Sequence, residues 1–206
     1  PVAVQVPMSR IDAILDDGFK SMYETGTRGG KRGEEYRDYR EQTEQFFFDH
    51  SERTTPETRP IYGFVPRPEG VRYYEADQAP HLDREMFDSV GNYGNTRIIL
   101  KDSVKDRSTI TMDDSLDTHV TGYPVIPSPA REIDWTSVNA FRAMQQVEAG
   151  KDAPLASIPF TYVEAQIHGG VEASDIQQIE FPKQPTKAMV AKLDNLGIDY
   201  TVKAAL

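Results

Sequence analysis

At 206 residues, with 38% hydrophobic and 27% charged residues, the chain can bury a core as one domain, or one domain with an added arm, and its mean hydropathy of −0.58 is that of a globular chain. A formal charge of −10 argues against general binding to a phosphate backbone, which depends on Lys and Arg neutralising phosphates. The lack of cysteine excludes disulfides, thiolate metal sites and a cysteine nucleophile, and no stretch reaches the ~18 continuous apolar residues of a membrane helix. The opening PVAVQVPMSR lacks the basic-then-apolar layout of a secretory signal, so a cytoplasmic product that has lost its initiator Met is expected.

In chain order, Val2, Val4 and Val6 alternate in an extended opening that Pro7 ends. Ser9 is placed to cap a helix over 9–23, whose Ile11, Ile14, Leu15, Phe19 and Met22 follow helical spacing, with Gly26 as the stop. The segment 25–33, TGTRGGKRG, is a flexible loop, read either as a solvated linker or as a mobile basic loop that touches an anion. A second helix over 34–48 places Tyr36, Tyr39, Thr43, Phe46 and Phe47 on one stripe as packing, leaving the rest of EEYRDYREQTE as a charged, solvated surface.

After Pro56 short strands and turns take over. The run RPIYGFV at 59–65 is ended by Pro66 and Pro68, and 71–75 suggests another strand start. In the loop-rich stretch to Gly94, His81 stands near Asp83, Arg84 and Glu85, but without a second histidine at ligand spacing it reads as a surface or cap residue, and no metal site is assigned. Strands follow at 96–100 (TRIIL) and 107–112 (RSTITM), joined by KDSVKD; Thr109 and Thr111 share one face of the second, which Asp113 and Asp114 close. The segment 119–129 is a surface loop, and Asp134 is placed to cap a helix over 134–150 that turns Trp135, Val138, Phe141, Met144 and Val147 inward.

The stretch 160–181, FTYVEAQIHGGVEASDIQQIEF, reads as strand, glycine turn and strand. Alternation sends Tyr162, Glu164, Gln166 and His168 to one face and Thr161, Val163, Ala165 and Ile167 to the other, so one face packs and the other offers chemistry. His168, just before two glycines, reads as a turn residue or, because imidazole titrates near neutral pH, a general base. A last helix opens at Pro185, turns Met189, Val190, Leu193 and Leu196 inward and stops at Gly197; Ile198, Tyr200 and Val202 form a terminal strand. The sum is an α+β architecture with helices gathered toward the N-terminus. Phosphate-loop, dinucleotide, zinc-protease and hydrolase-elbow motifs are absent.

An arginine on an early strand (RPIYGFV), a Ser/Thr strand (RSTIT) and a glutamate on a late strand (YVEAQIHGG) together resemble the plan of the ADP-ribosyltransferase superfamily. The late ribbon is similar to that of the DNA-targeting toxins in it, and helix-first chains with RP-x-YG and EAQ-x-HG resemble phage-encoded and toxin-associated members. The resemblance covers 59 to the end and implies an ADP-ribosyltransferase-like mixed β core over 56–206 behind an N-terminal helical arm over 1–55. It implies NAD as substrate, Glu164 and Gln166 as catalytic residues, and Arg59 or alternatively Arg67, Tyr62, Ser108, Thr109 and His168 at the NAD site. Breaking the nicotinamide–ribose bond develops positive charge on the sugar, which an anionic Glu164 stabilises, while a forked arginine suits the pyrophosphate. The best-known members carry Glu-x-Glu or Gln-x-Glu; here Glu164 and Gln166 stand in reversed order.

Two readings therefore stand side by side. One is a mono-ADP-ribosyltransferase of phage or toxin type acting on a host protein or nucleic acid in the host cytoplasm. The other is a non-enzymatic virion or assembly protein, oligomeric with neighbouring subunits, that keeps the same frame with a dead site because Gln166 supplies no charge. A third, an acidic inhibitor that mimics nucleic acid, fits only the charge.

Overall fold

The computed structural model describes residues 1–26, 33–48, 54–66, 90, 93–112, 114–116, 128–130 and 163–203. Arg67, His81, Trp135, the strand start at 71–75, the helix at 134–150 and most of the loops at 25–33 and 119–129 lie outside them.

The fold is α+β. Among the described residues eight strands form one sheet: β1 (Ala3–Val6), β2 (Ile61–Phe64), β3 (Thr96–Leu100), β4 (Ser108–Met112), β5 (Ser128–Pro129), β6 (Val163–Ile167), β7 (Ile176–Phe181) and β8 (Asp199–Val202). Their order is β5-β4-β6-β2-β1-β3-β7-β8, antiparallel throughout except for the parallel β7–β8 pair. Among the described residues the helices are α1 (Ile11–Asp17), α2 (Met22–Thr25), α3 (Gly33–Phe48) and α4 (Lys187–Leu196). Ile98, Leu100, Ile176, Ile179 and Phe181 fill the core with Ile11, Ile14 and Leu15 of α1 and Leu193 of α4.

β1 lies between β2 and β3, with Ala3 opposite Phe64 on one side and Ile99 on the other. A boundary at residue 55 thus leaves a central strand of the sheet on the arm side.

The single helix expected over 9–23 is two helices. Met8–Arg10 is a 3₁₀ turn without a side-chain cap, and α1 ends at Gly18, whose φ of 73° is a conformation L side chains rarely adopt. The chain then turns so that the Phe19 amide donates to the Val171 carbonyl. Ser21 restarts the helix with a capping box: its Oγ accepts from the Glu24 amide at 3.2 Å while Glu24 Oε2 accepts from the Ser21 amide at 2.7 Å. The Ser21 hydroxyl also donates to the Pro56 carbonyl, tying α2 to the turn before β2.

α3 buries a different face from the one its aromatic stripe predicts. Of the expected stripe Thr43 is buried, but Tyr39 and Phe46 are exposed, whereas Arg40 and Glu44, from the side read as solvated, are buried. The side it turns inward meets polar groups of β2 and β6, so paired charges share that interface with the Tyr62 ring. At the far end, Thr186 caps α4 by accepting from the Met189 amide, Gly197 closes it in the left-handed conformation, and Leu196 is exposed.

Candidate functional site

β6 runs between β2 and β4. Glu164 stands opposite Phe64 and Thr111, and Gln166 opposite Tyr62 and Thr109, so these six side chains share one face of the sheet. Ser108 stands opposite Ile167 on the other face, and its hydroxyl donates to the Val104 carbonyl at 2.7 Å. Every residue of β6 is buried. The face expected to offer chemistry is covered as well, and α3 supplies part of the cover.

Glu164 is 3% exposed. Its Oε1 accepts from Ser115 Oγ at 2.5 Å, from the Ser115 amide at 3.3 Å and from Gln166 Nε2 at 2.9 Å, and lies 3.8 Å from Arg40 Nη1. Gln166 also donates to Thr111 Oγ1 at 2.9 Å and accepts from Thr109 Oγ1 at 3.0 Å, which fixes its amide with the nitrogen toward Glu164. Thr109 Oγ1 lies 3.0 Å from His168 Nε2, and the His168 ring packs edge-on against Phe48 of α3. Arg107 pins the turn that follows by donating to the His168 and Gly170 carbonyls and to Asp175.

Arg40, 2% exposed, reaches down from α3. Its Nη1 donates to Ser115 Oγ at 2.8 Å, its Nη2 donates to the Tyr36 hydroxyl and lies 3.4 Å from Asp114 Oδ1, and its guanidinium sits 3.9 Å over the Tyr62 ring. The Tyr62 hydroxyl donates to Glu44 Oε1 at 2.9 Å. Arg59 spreads its fork over two helix carboxylates, Glu44 Oε2 and Glu41 Oε1, each at 2.7 Å, with Tyr23 beneath it. A continuous chain of charge and ring contacts thus runs Glu41–Arg59–Glu44–Tyr62–Arg40–Glu164.

Burial pushes the Glu164 carboxyl up from its ordinary 4.5 and the Asp114 charge adds to this; Arg40, Ser115 and Gln166 pull it back, and the balance stands at about 7. For Arg40, burial alone would lower the pKa, but Tyr62, Glu164, Tyr36 and Asp114 outweigh it and hold the guanidinium charged. Burial raises the Tyr62 phenol well above its usual range.

Beside Glu164 is a small cavity of about 80 Å³, with Gln5, Tyr36, Arg40, Tyr62 and Tyr93 in its wall. Two atoms of these lining residues, the acceptor Gln5 Oε1 and the donor Arg40 Nε, are buried without a hydrogen-bond partner among the described residues. Among the described residues no group of three or more His, Asp or Glu is arranged to hold a metal ion, and no helix is long and apolar enough to cross a membrane.

The sequence-derived site residues therefore divide. Glu164, Gln166, Thr109, Tyr62 and His168 gather on one face; Arg59 is joined to it through Glu44, Tyr62 and Arg40; Ser108 is on the opposite face; Arg67 lies outside the described residues. Arg40, Glu44 and Ser115 were not anticipated. The one available signal was the four-residue spacing of Arg40 and Glu44, which puts both on a single helix face.

No protein-family profile matches the chain. Over 123 residues it is 32% identical to the Gene 2 protein of Mycobacterium phage L5, taking in 55% of this chain and 47% of that protein. Over 120 residues it is 29% identical to the Gene 2 protein of Mycobacterium phage D29, taking in 54% and 46%. The alignments thus span about half the length of these relatives, both phage-encoded. Among solved structures, Thermosipho africanus DarTG in complex with ADP-ribose is similar at a TM-score of 0.47 and 9% identity, covering 97% of this chain and 48% of that one.

Proposed function

We propose that the chain is an NAD-dependent mono-ADP-ribosyltransferase of phage or toxin type that modifies a host protein or nucleic acid. The observation that carries this reading is the setting of Glu164, a lone carboxylate of β6 on the face shared by Gln166, Thr109 and Tyr62 and in the wall of the aromatic cavity. In the proposed reaction the bond between ribose C1′ and the nicotinamide nitrogen breaks, its electron pair leaves with nicotinamide, and positive charge develops on the ribose. Glu164 in its carboxylate form stabilises that charge, and Gln166 orients Glu164. A nucleophilic atom of the target then bonds to C1′ and gives up its proton to solvent. The ADP-ribosyltransferase-like character of the core belongs to this proposal and rests on the RPIYGFV, RSTIT and YVEAQIHGG pattern.

The test is incubation with labelled NAD and host lysate, comparing wild type with Glu164→Gln. Label transfer that vanishes in the variant supports the reading; no transfer together with no NAD binding by calorimetry overturns it.

One observation favours a second reading, a non-enzymatic virion or assembly protein. Arg59 already carries two carboxylates and Glu164 already has Arg40, Ser115 and Gln166, as in a frame stabilised from within. Co-sedimentation with assembled particles and oligomers on size exclusion support this alternative, and a strictly monomeric protein absent from particles counts against it.

A further inference from the structure

We propose that Arg40 is the positioning residue of Glu164: from α3 it supplies the positive charge that lets the carboxylate ionise, and with Ser115 it holds that carboxylate against the wall of the cavity. Its catalytic meaning rests on the transferase reading, whereas the pairing itself is tested without it.

The geometry carries this on three counts. Arg40 Nη1 reaches both Glu164 Oε1, at 3.8 Å, and Ser115 Oγ, at 2.8 Å; Ser115 in turn donates to the same Glu164 oxygen at 2.5 Å. One direct and one hydroxyl-bridged path therefore link guanidinium and carboxylate. Second, both side chains are almost wholly buried, where attraction between opposite charges is screened far less than at a surface. Third, Arg40 is itself held by Tyr36 and by the Tyr62 ring beneath it, so its fork does not swing away.

Among the described residues, groups from several elements surround Glu164. α3 presents Arg40, Tyr36 and, beyond Tyr62, Glu44; β2 presents Tyr62; Tyr93 before β3 lines the same cavity; the segment after β4 presents Asp114 and Ser115; β4 and β6 present the neutral Thr111 and Gln166. Asp114 opposes ionisation of Glu164 and Arg40 favours it. A carboxyl held neutral in this place has to take up a proton that it lacks near neutral pH in the unfolded chain, whereas the charge of Arg40 offsets the cost of burying the anion.

The experiment follows the Glu164 carboxyl carbon by NMR through a pH titration of the full chain, as wild type, Arg40→Gln, Arg40→Lys and Asp114→Asn. An opposite charge this near moves a carboxyl by roughly 1 to 3 pH units. The Glu164 midpoint is expected to rise by about 1 unit or more in Arg40→Gln, to fall in Asp114→Asn, and to lie between wild type and Arg40→Gln in Arg40→Lys, whose ammonium restores charge without the fork. Midpoints equal to wild type in the folded variants overturn the proposal. If Arg40→Gln fails to fold, Asp114→Asn and Arg40→Lys decide it. In parallel, the acidic limb of NAD turnover shifts with the midpoint in each variant. A wild type without turnover whose midpoints still move overturns the transferase reading and leaves the pairing standing.

Discussion

Arg59 Nη1 donates to Glu44 Oε2 at 2.7 Å, and the other oxygen of Glu44 accepts from the Tyr62 hydroxyl at 2.9 Å. One fully buried helix carboxylate thereby holds two residues of the β2 region. Glu44→Ala leaves Arg59 with only the half-buried Glu41 and strands the Tyr62 hydroxyl; the expected loss is about 3–5 kcal/mol by chemical denaturation. Glu44→Gln keeps an acceptor for Tyr62 and costs less. Equal stability of wild type and Glu44→Ala would contradict the role given to α3.

If the proposed transferase reading holds, Glu164 gives stability and activity opposite dependences on pH. Its folded-state pKa, about 7, lies above its ordinary 4.5, so between these values the folded chain binds more protons than the unfolded one. Its contribution to stability is fully present below about 4.5 and is lost as pH rises to about 7. The difference is on the order of 3 kcal/mol. Urea midpoints measured across this range fall more steeply for wild type than for Glu164→Gln, which cannot titrate. Transfer of label from NAD runs the other way, rising through pH about 7 as the carboxylate forms.

Gly63 of β2 faces the backbone of β1: a Cβ added there stands 2.5 Å from the Ala3 carbonyl oxygen. Gly63→Ala must push two central strands apart, and a loss of about 1–3 kcal/mol is expected in thermal or urea unfolding. Because Tyr62 and Phe64 flank Gly63 on the site face, the proposed transfer activity is expected to fall with it. Unchanged stability would show that β1 and β2 part without cost.

Thr109 has one hydroxyl proton, and Gln166 Oε1 takes it; His168 Nε2 must then supply the proton on its own side. Nitrogen NMR is expected to find neutral His168 as the tautomer protonated at Nε2. Thr109→Val removes that preference and leaves the Gln166 carbonyl unpaired, at about 1–3 kcal/mol. A His168 protonated at Nδ1 in wild type contradicts this assignment of hydrogen bonds.

The strands were legible because their alternation is local. TRIIL, STITM and IQQIEF form strands where periodicity places them, and the two-residue period of β6 puts Glu164 and Gln166 on one face. Thr109 and Thr111 likewise share that face. What periodicity could not convey is a buried helix face made of ions. In α3 the hydrophobic pattern points to the aromatic stripe, yet Arg40 and Glu44 are inside because β2 and β6 offer them Tyr62, Arg59 and Glu164; that information lies in distant segments. Ser108 and Thr109 were equally eligible by residue type, and only the register with β6 separates them. The fate of Arg59 was hidden for the same reason as that of Arg40, its two partners being contributed by a helix that reads as solvated.

The place of β1 has a consequence for synthesis on the ribosome. Ala3 has Phe64 on one flank and Ile99 on the other, so β1 cannot be hydrogen-bonded on both sides until the chain has grown through β3. β2 then still needs β6, and β3 still needs β7, before the sheet is continuous. Val4 and Val6 are therefore made well before the strands that flank them, and β1 stays unsatisfied until those strands follow. Contacts of this long range fold slowly, and the centre of the finished sheet is enclosed late.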